Sequence, residues 1–458
     1  MTSTNNFDVV VFGGGSAGYA CALRASQLGQ SVALIEKDKL GGTCLHRGCI
    51  PTKALLHAAE IADHTRDSAH YGVKADFVGI DMTGVNSYKD GIVNKTFRGL
   101  SGLIKSRGIT IVEGDGKLVA ANAVEVNGVR YEGRNVVLAT GSTPRSLPGL
   151  NIDGKRIITS EHALHLQQVP QSVVVLGGGV IGVEFASVWR SFGAEVTIVE
   201  ALPRLVPTED TESSKRLERA FRKRGIKFHT GVRFSGVTET EGGVQVSLED
   251  GKTIDAELLM VAVGRGSVSE GLGYEQAGIA MERGSVVVNE YCQTNVPGVY
   301  AIGDLIPTLQ LAHVGFQEGI LVAEHIAGQE VKPIDYKGVP RVTYSDPEIA
   351  SVGLTTEQAK EQGYEVKEAM YDLAGNPKSS ILNTSGVVKV ITAQDGPVLG
   401  IHMVGARVGE LIGEAQLIYN WEAFPSDVAP LIHAHPSQNE ALGEAHLALA
   451  GKPLHVHG

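Results

Sequence analysis

The segment Gly41-Gly42-Thr43-Cys44-Leu45-His46-Arg47-Gly48-Cys49-Ile50-Pro51-Thr52-Lys53 carries two of the chain's four cysteines, with four residues between them. An ideal helix would splay such a pair, so the two sulfurs can close a small disulfide ring only where the helix start is distorted. A thiolate near a helix N-terminus is favoured by the dipole, and a pair placed there can cycle at neutral pH. The competing readings are a metal pair or two buried thiols. Zinc would need further Cys or His ligands at suitable spacing, and the segment offers none. Cys21, in a first helix, and Cys292, in an expected strand, read as small buried hydrophobes.

Two glycine turns carry the second kind of chemistry. Gly13-Gly14-Gly15-Ser16-Ala17-Gly18 follows a short apolar run and opens a helical stretch, so its backbone N–H groups and helix N-terminus can face a pyrophosphate. Such a hexapeptide alone is as often a mere turn. Glu36 ends the following strand, where a carboxylate accepts hydrogen bonds from ribose hydroxyls, and this context makes the turn a dinucleotide site. About 160 residues later Gly177-Gly178-Gly179-Val180-Ile181-Gly182 repeats the arrangement, with Glu200 closing its second strand. Glu200 favours NAD over NADP because its charge repels a 2′-phosphate, although Arg204 lies close behind it. The bland alternative is a duplicated fold with one dead site.

Near the other end His435 precedes Pro436, which suits the first position of a helix, and Glu440 follows about one turn later. A histidine fixed by a carboxylate is poised as a base near neutral pH. On statistics alone a histidine among fifteen is surface or core, and His433, His446, His455 and His457 lie nearby.

These groups require scaffolding. The chain has 458 residues, enough for about three or four domains. Its 57 glycines fall in short clusters, as tight βα turns require, and its net charge of −11 gives no basic surface for nucleic acid. The first six residues lack the character of a signal peptide, and no apolar run reaches membrane-spanning length. Four cysteines cannot form a disulfide scaffold in so long a chain, so any disulfide should be catalytic. Phe7 to Gly13, a helix to Leu28, and Ser31 to Ile35 read as a βαβ unit, repeated by Ser172 to Gly177, a helix through Phe192, and Glu195 to Val199. A third glycine turn, Tyr300-Ala-Ile-Gly-Asp304, opens a helix from His313 to Ala327. From Val339 onward, alternating runs such as Gly386 to Ile391 and Leu399 to Val404 read as antiparallel strands. The expected fold is α/β, with two Rossmann-like dinucleotide domains at 1–149 and 150–272, a central segment at 273–338, and a C-terminal α+β interface domain at 339–458.

Over nearly its whole length the sequence resembles the pyridine nucleotide-disulfide oxidoreductases. The resemblance rests on the Gly41 to Lys53 segment, Ala139-Thr140-Gly141-Ser142, Gly264-Arg265, Gly303-Asp304, Leu311-Ala312-His313 and His433-Ala434-His435-Pro436. It implies FAD held by Gly13, Gly15, Gly18, Glu36, Lys37, Gly42, Thr43, Lys53, Gly116, Thr140, Gly141, Ser142, Asp304, Leu311, Ala312 and His313, with Asp304 on the ribityl chain. NAD would be held by Gly177, Gly179, Val180, Ile181, Gly182, Glu184, Glu200, Val232 and Gly264. The resemblance also pairs Lys53 with Glu184 beside the flavin, two residues that read alone would be solvated helix charges. It makes Cys44 the sulfur that forms a mixed disulfide, Cys49 the one against the flavin, and His435, fixed by Glu440, the base. Ser437-Gln438-Asn439 departs from the family, where Thr, an apolar residue and Ser are common; the departure reads as variation outside the chemistry.

Within the family the similarity is to the branch that oxidises carrier-bound dihydrolipoamide with NAD+. That branch implies a cytoplasmic homodimer whose partners are lipoyl-bearing proteins, either E2 acyltransferases of 2-oxoacid dehydrogenase complexes or the glycine cleavage H protein, with neither nucleic acid nor membrane insertion. Other branches fit less well. Glutathione reductases carry basic residues where Glu200 stands, mercuric and large thioredoxin reductases add a C-terminal cysteine pair, and soluble transhydrogenases lack the cysteine pair. A non-catalytic flavoprotein scaffold or redox sensor would not require Cys44, Cys49, Lys53, His435 and Glu440 together.

Overall fold

The computed structural model of the chain describes residues 5–455; the first residues of the N-terminal segment and the end of the tail, with His457, lie outside the described residues. Two compact units form. The first comprises the residues up to Leu55, Met82–Arg145 and Gly264–Tyr336; the second comprises Leu56–Asp81, Ser146–Val263 and the residues from Lys337 onward.

The first unit is built on a seven-stranded sheet ordered Thr110–Glu113, Val32–Glu36, Asn5–Phe12, Val129–Leu138, Ala123–Val126, Gly116–Ala120, with Val299–Ala301 also paired to Val129–Leu138. Asn5–Phe12 runs parallel to both Val32–Glu36 and Val129–Leu138, in the register Val11↔Leu34 and Val11↔Val137. Its run Val9-Val10-Val11 is fully buried, as a parallel strand covered on both faces requires. The helix Ser16–Gln27 buries the small residues Ala17, Gly18, Cys21, Ala22 and Ala25. Against this face lies the helix Ala312–Ile326, where a Cβ added to Gly319 would meet the Cys21 backbone N at 2.8 Å. Small residues thus let the two backbones approach, which fixes the Gly303–Leu305 turn at the end of the sheet.

The second unit holds a five-stranded parallel sheet ordered Lys227–Thr230, Glu195–Glu200, Ser172–Leu176, Leu258–Val261, Ile157–Thr159. A three-stranded antiparallel sheet runs from Phe234 to Ala256. Its C-terminal part is an antiparallel sheet ordered Arg341–Thr343, Glu348–Gly353, Val398–Gly405, Val387–Ala393, Val366–Asp372. The helices Val408–Asn420 and Glu440–Leu449 bury Leu411, Ala415, Leu442 and Ala445 in the core of this sheet. The strands expected near Gly386 to Ile391 and Leu399 to Val404 are therefore present, and the fold is α/β with two dinucleotide-type sheets and an α+β C-terminal part.

Two local expectations fail. Pro436 does not occupy a first helical position: residues 433–438 are irregular and the helix begins at Glu440. The Glu440 carboxylate reaches back to the Ser437 N–H at 2.7 Å, so the chain is held in a loop where a helical turn was expected. Cys292 is buried but lies in a bend with φ of 59°, not in a strand. Asn289 Oδ1 accepts the N–H groups of both Tyr291 and Gln293, and this side-chain turn replaces a ladder.

Candidate active site

In the first unit the cysteine segment forms two helices, Gly42–Arg47 and Cys49–Arg66, interrupted at Gly48, where φ is −140° and ψ is −113°. The interruption is the distortion that the spacing demanded: Cys44 lies in the first helix, Cys49 opens the second, and the two thiols hydrogen-bond to each other. That sulfur–sulfur contact, with burial, pushes the Cys44 thiol far above its ordinary range, while the Ser16 hydroxyl and the Lys53 ammonium pull the other way. The pair therefore carries one negative charge much more readily than two. A depressed Cys44 thiol, as the dipole alone would give, is not what this dithiol arrangement produces. Tyr19 lies close enough for Cys44 to reinforce the burial that pushes its hydroxyl up to about 12.

The same unit contains the first glycine turn. A Cβ on Gly18 would collide with the Gly13 carbonyl, so only glycine permits this contact between helix and strand, whereas Gly15 faces open space at the start of the helix. Glu36 accepts the Gly14 N–H at 2.7 Å and the Asp38 N–H at 2.8 Å; Lys37 beside it is exposed. The cysteine-bearing helix approaches the turn so closely that a Cβ on Gly42 would fall 2.8 Å from Gly15 Cα, and Thr43 follows. Along the strand ends, Thr140 Oγ1 donates to Val268 O at 2.6 Å, and Gly141 has φ of +73° with open space above it. The Ser142 hydroxyl donates to the Asp304 carboxylate, and Arg265 Nε donates to Ser142 Oγ at 2.7 Å. Gly116 begins its strand beneath the Phe12 ring, and Leu311 precedes the helix opened by Ala312 and the exposed His313. The glycine turn with open space at Gly15, at the start of the helix Ser16–Gln27, fits the pyrophosphate of FAD. Asp304 is held by the Ser142 hydroxyl.

The second unit repeats the turn. A Cβ on Gly182 would collide with the Gly177 carbonyl, Gly179 faces open space, and Val180 and Ile181 begin the helix Val180–Phe192. Glu200 accepts the Gly178 N–H at 2.6 Å and the Leu202 N–H at 2.7 Å, the bonds that Glu36 makes in the first unit. Val232 donates its N–H to Glu200 O at 3.3 Å. Arg204, which left NADP open, has its guanidinium bound to Thr211 Oγ1 at 2.9 Å and to the Pro207 and Glu209 carbonyls at 3.0 Å each. The open turn and the Glu200 carboxylate beside it fit NAD. Glu184 is buried on this helix and accepts the Tyr344 N–H at 2.9 Å. Lys53 and Gly264 belong to the first unit, Glu184 to the second.

Also in the second unit, His435 Nδ1 is 2.8 Å from Glu440 Oε1, and its side chain is 68% exposed. Burial works against the Glu440 charge, but the Ser437 N–H and His435 outweigh it and hold the carboxyl below its usual range. A histidine whose Nδ1 is fixed by a carboxylate presents Nε2 for proton transfer.

Residues 7–319 match the description pyridine nucleotide-disulphide oxidoreductase, and residues 339–446 match the dimerisation domain of that group. The chain belongs to this family. Among curated relatives, the dihydrolipoyl dehydrogenase of Bacillus subtilis (strain 168) is 42% identical, covering 98% of this chain and 99% of its own. The mitochondrial dihydrolipoyl dehydrogenase of Pisum sativum is 40% identical over 98% of this chain and 92% of its own. Among solved structures, LpdA from Mycobacterium tuberculosis superposes with a TM-score of 0.91 at 27% identity, over 97% of this chain and 99% of that one.

Several groups escaped the sequence reading of this oxidoreductase. Ser16, beside Cys44, and Arg265, which orients Ser142, are far from their partners in sequence. Glu318 is fully buried and accepts from the Gly303 N–H at 2.6 Å, Thr308 at 2.9 Å and Tyr336 at 2.9 Å, holding the turn that carries Asp304. No local spacing signals any of these.

Proposed function

We propose that this chain is a dihydrolipoyl dehydrogenase, oxidising protein-bound dihydrolipoamide to lipoamide and reducing NAD+ to NADH. The carrying observation is the 42% identity to the Bacillus subtilis dihydrolipoyl dehydrogenase across 98% of the chain, with both cysteines of the redox pair in sulfur-to-sulfur contact. FAD, when bound, would supply the two-electron carrier between the cysteine dithiol and NAD+.

In the oxidised enzyme the Cys44–Cys49 disulfide is the acceptor. His435 removes a proton from one substrate thiol, and the resulting sulfur attacks Cys44 Sγ, breaking the bond to Cys49 and forming a mixed disulfide. The second substrate thiol then closes the lipoamide ring, releasing Cys44, and the imidazolium returns the proton. Two substrate thiols become one disulfide while the enzyme disulfide becomes one thiol, protonated by the imidazolium, and one thiolate, the second substrate proton passing to solvent, so atoms and electrons balance. Ser16 and Lys53 steady the charge left on the pair.

The reading extends to a cytoplasmic homodimer in which His435 of one subunit serves the cysteines of the other, supported by the match of residues 339–446 to a dimerisation domain. No described helix is long and apolar enough to cross a membrane. The lipoyl group arrives on another chain, an E2 acyltransferase or a glycine cleavage H protein. Turnover with dihydrolipoamide and NAD+ is compared with turnover of glutathione disulfide or mycothione and NADPH; preference for the second pair overturns the proposal.

A further inference from the structure

We propose that Glu414 is the positioning residue for His435, acting by bracing both ends of the loop that carries it; this rests on the reading of His435 as the base. Glu414 lies on the helix Val408–Asn420, away from the His435 segment in sequence. One of its oxygens, Oε1, contacts His433 Nε2 at 2.7 Å, and the other, Oε2, accepts from Asn439 Nδ2 at 2.6 Å. His433 and Asn439 flank the span that contains His435, so a single carboxylate ties down both shoulders. The position after Asn439 is Glu440, the partner of His435.

The neighbouring contacts point the same way. A Cβ on Gly443 would fall 2.7 Å from His433 Nδ1, so the His433 ring packs directly on the helix that begins at Glu440. Gln438 is buried and donates to Ala406 O at 2.8 Å, and Asn376 Nδ2 donates to Ser437 O at 3.0 Å. Gln438 and Asn439 are thus the two residues of the Ser437-Gln438-Asn439 stretch whose own side chains fasten it to neighbouring elements. The charged and titratable groups around the clamp are His433, Glu440 and the buried His446, whose Nδ1 bonds to Leu442 O at 2.7 Å. Within its own chain His435 is mostly exposed, so its own chain's packing does not orient the ring. Its orientation depends on Glu440, and the placement of Glu440 depends on the brace one residue before it.

Stopped-flow reduction of the FAD-loaded enzyme by dihydrolipoamide and, separately, by NADH tests this in Glu414→Ala, Glu414→Gln and Asn439→Ser, each also made in a His435→Ala background. Glu414→Ala should slow the dihydrolipoamide half-reaction about tenfold, equivalent to about 1.4 kcal/mol, and leave the NADH half-reaction unchanged. Glu414→Gln and Asn439→Ser each keep one of the two contacts and should lose about threefold. In the His435→Ala background none of the three should cost anything further, because a residue that acts only through His435 has nothing left to position. A loss below twofold in all three variants, equal losses in both half-reactions, or an undiminished loss without His435 overturns the proposal. Should Glu414→Ala fold poorly, the milder variants and their non-additivity carry the decision. If His435→Ala itself leaves the dihydrolipoamide half-reaction unchanged, the assignment of the base falls, and this inference with it.

Discussion

Replacing Glu200 by Gln should abolish most of the enzyme's discrimination between NAD and NADP. In the folded chain Glu200 is 9% exposed, and each carboxylate oxygen accepts one backbone N–H, from Gly178 and Leu202. Each oxygen retains lone-pair capacity for a ribose hydroxyl. A phosphate on the 2′-oxygen would stand about 5 Å from this charge, where one unit of like charge costs about 3 kcal/mol at an effective dielectric constant of about 20. Loss of a charge-assisted hydrogen bond to the diol adds about 1.5 kcal/mol or more. Arg204 cannot offset the repulsion in this arrangement, because its guanidinium is held by Thr211 and two carbonyls. The native enzyme should therefore prefer NAD by at least about tenfold in kcat/KM and centrally by about 10²- to 10³-fold. Glu200→Gln removes the charge at constant shape but leaves one acceptor for two backbone donors, so kcat/KM for NAD should fall by about tenfold while that for NADP holds or rises. Initial rates with each nucleotide at saturating dihydrolipoamide give both ratios. Equal kcat/KM for NAD and NADP in the native enzyme would refute the reasoning, as would a Glu200→Gln variant whose ratio is unchanged.

Replacing His435 by Ala should slow reduction by dihydrolipoamide by roughly 10² to 10⁴, or about 3 to 5.5 kcal/mol of barrier, with a smaller loss for Glu440→Gln; equal slowing of reduction by NADH would show that the histidine holds the fold or the flavin. Purified mixed dimers of a Cys44→Ser chain with a His435→Ala chain should recover activity through one intact site, and activity no higher than either mutant homodimer would place the site within one chain. Asp210→Ala should destabilise the second unit by about 3 kcal/mol, because it removes the carboxylate that holds the buried Lys389 ammonium at 3.0 and 3.1 Å and leaves it the neutral Thr356 hydroxyl at 2.7 Å and the more distant Glu368 at 3.4 Å; a midpoint within error of the native one in urea unfolding would contradict it. The Glu414 carboxylate raises the affinity of His433 for its proton, against burial, so that contribution is full below about pH 6.5 and lost as pH rises through the raised value. Burial opposes the Glu414 charge but His433 outweighs it, so the carboxylate's contribution is present above about pH 4.5 and lost as pH falls through the lowered value. The stability difference between native enzyme and Glu414→Gln should thus be larger at pH 6 than at pH 9, as measured by thermal unfolding.

What could be read from sequence was what sterics or burial dictates locally. Gly13 with Gly18, and Gly177 with Gly182, are backbone collisions that no other residue could survive, so the residue type itself reports the contact. The apolar parallel strands were legible for the same reason, as was the need for a break between Cys44 and Cys49. The remainder depends on partners brought together by tertiary structure. Arg265 reaches Ser142, Glu318 reaches Tyr336, and Glu414 reaches both His433 and Asn439, pairings that no periodicity signals. Pro436 was misplaced because a general preference for helix starts competed with a specific carboxylate reaching back to Ser437, and the specific bond won.

The duplicated turn shows how one scaffold is set to two tasks. Beyond the shared Glu36 and Glu200 contacts, Gly41 donates its N–H to Gly14 O at 2.8 Å and Val206 donates its N–H to Gly178 O at 2.8 Å. Leu40 and Leu205 pack under the two turns, 2.9 and 2.7 Å from where a Cβ on Gly14 or Gly178 would lie. The copies part at the next step. After Gly41, at φ of 99°, Gly42 lets a helix start within 2.8 Å of Gly15 Cα, and that helix carries Cys44. After Val206, at φ of 43°, the chain enters Pro207 and a loop fastened by Arg204, and the next helix waits until Thr211. A side chain at position 42 would push the redox helix off the turn; the second copy, without that glycine, keeps its turn for a nucleotide alone. The residue following the shared backbone closure therefore decides which dinucleotide turn adjoins the cysteine pair.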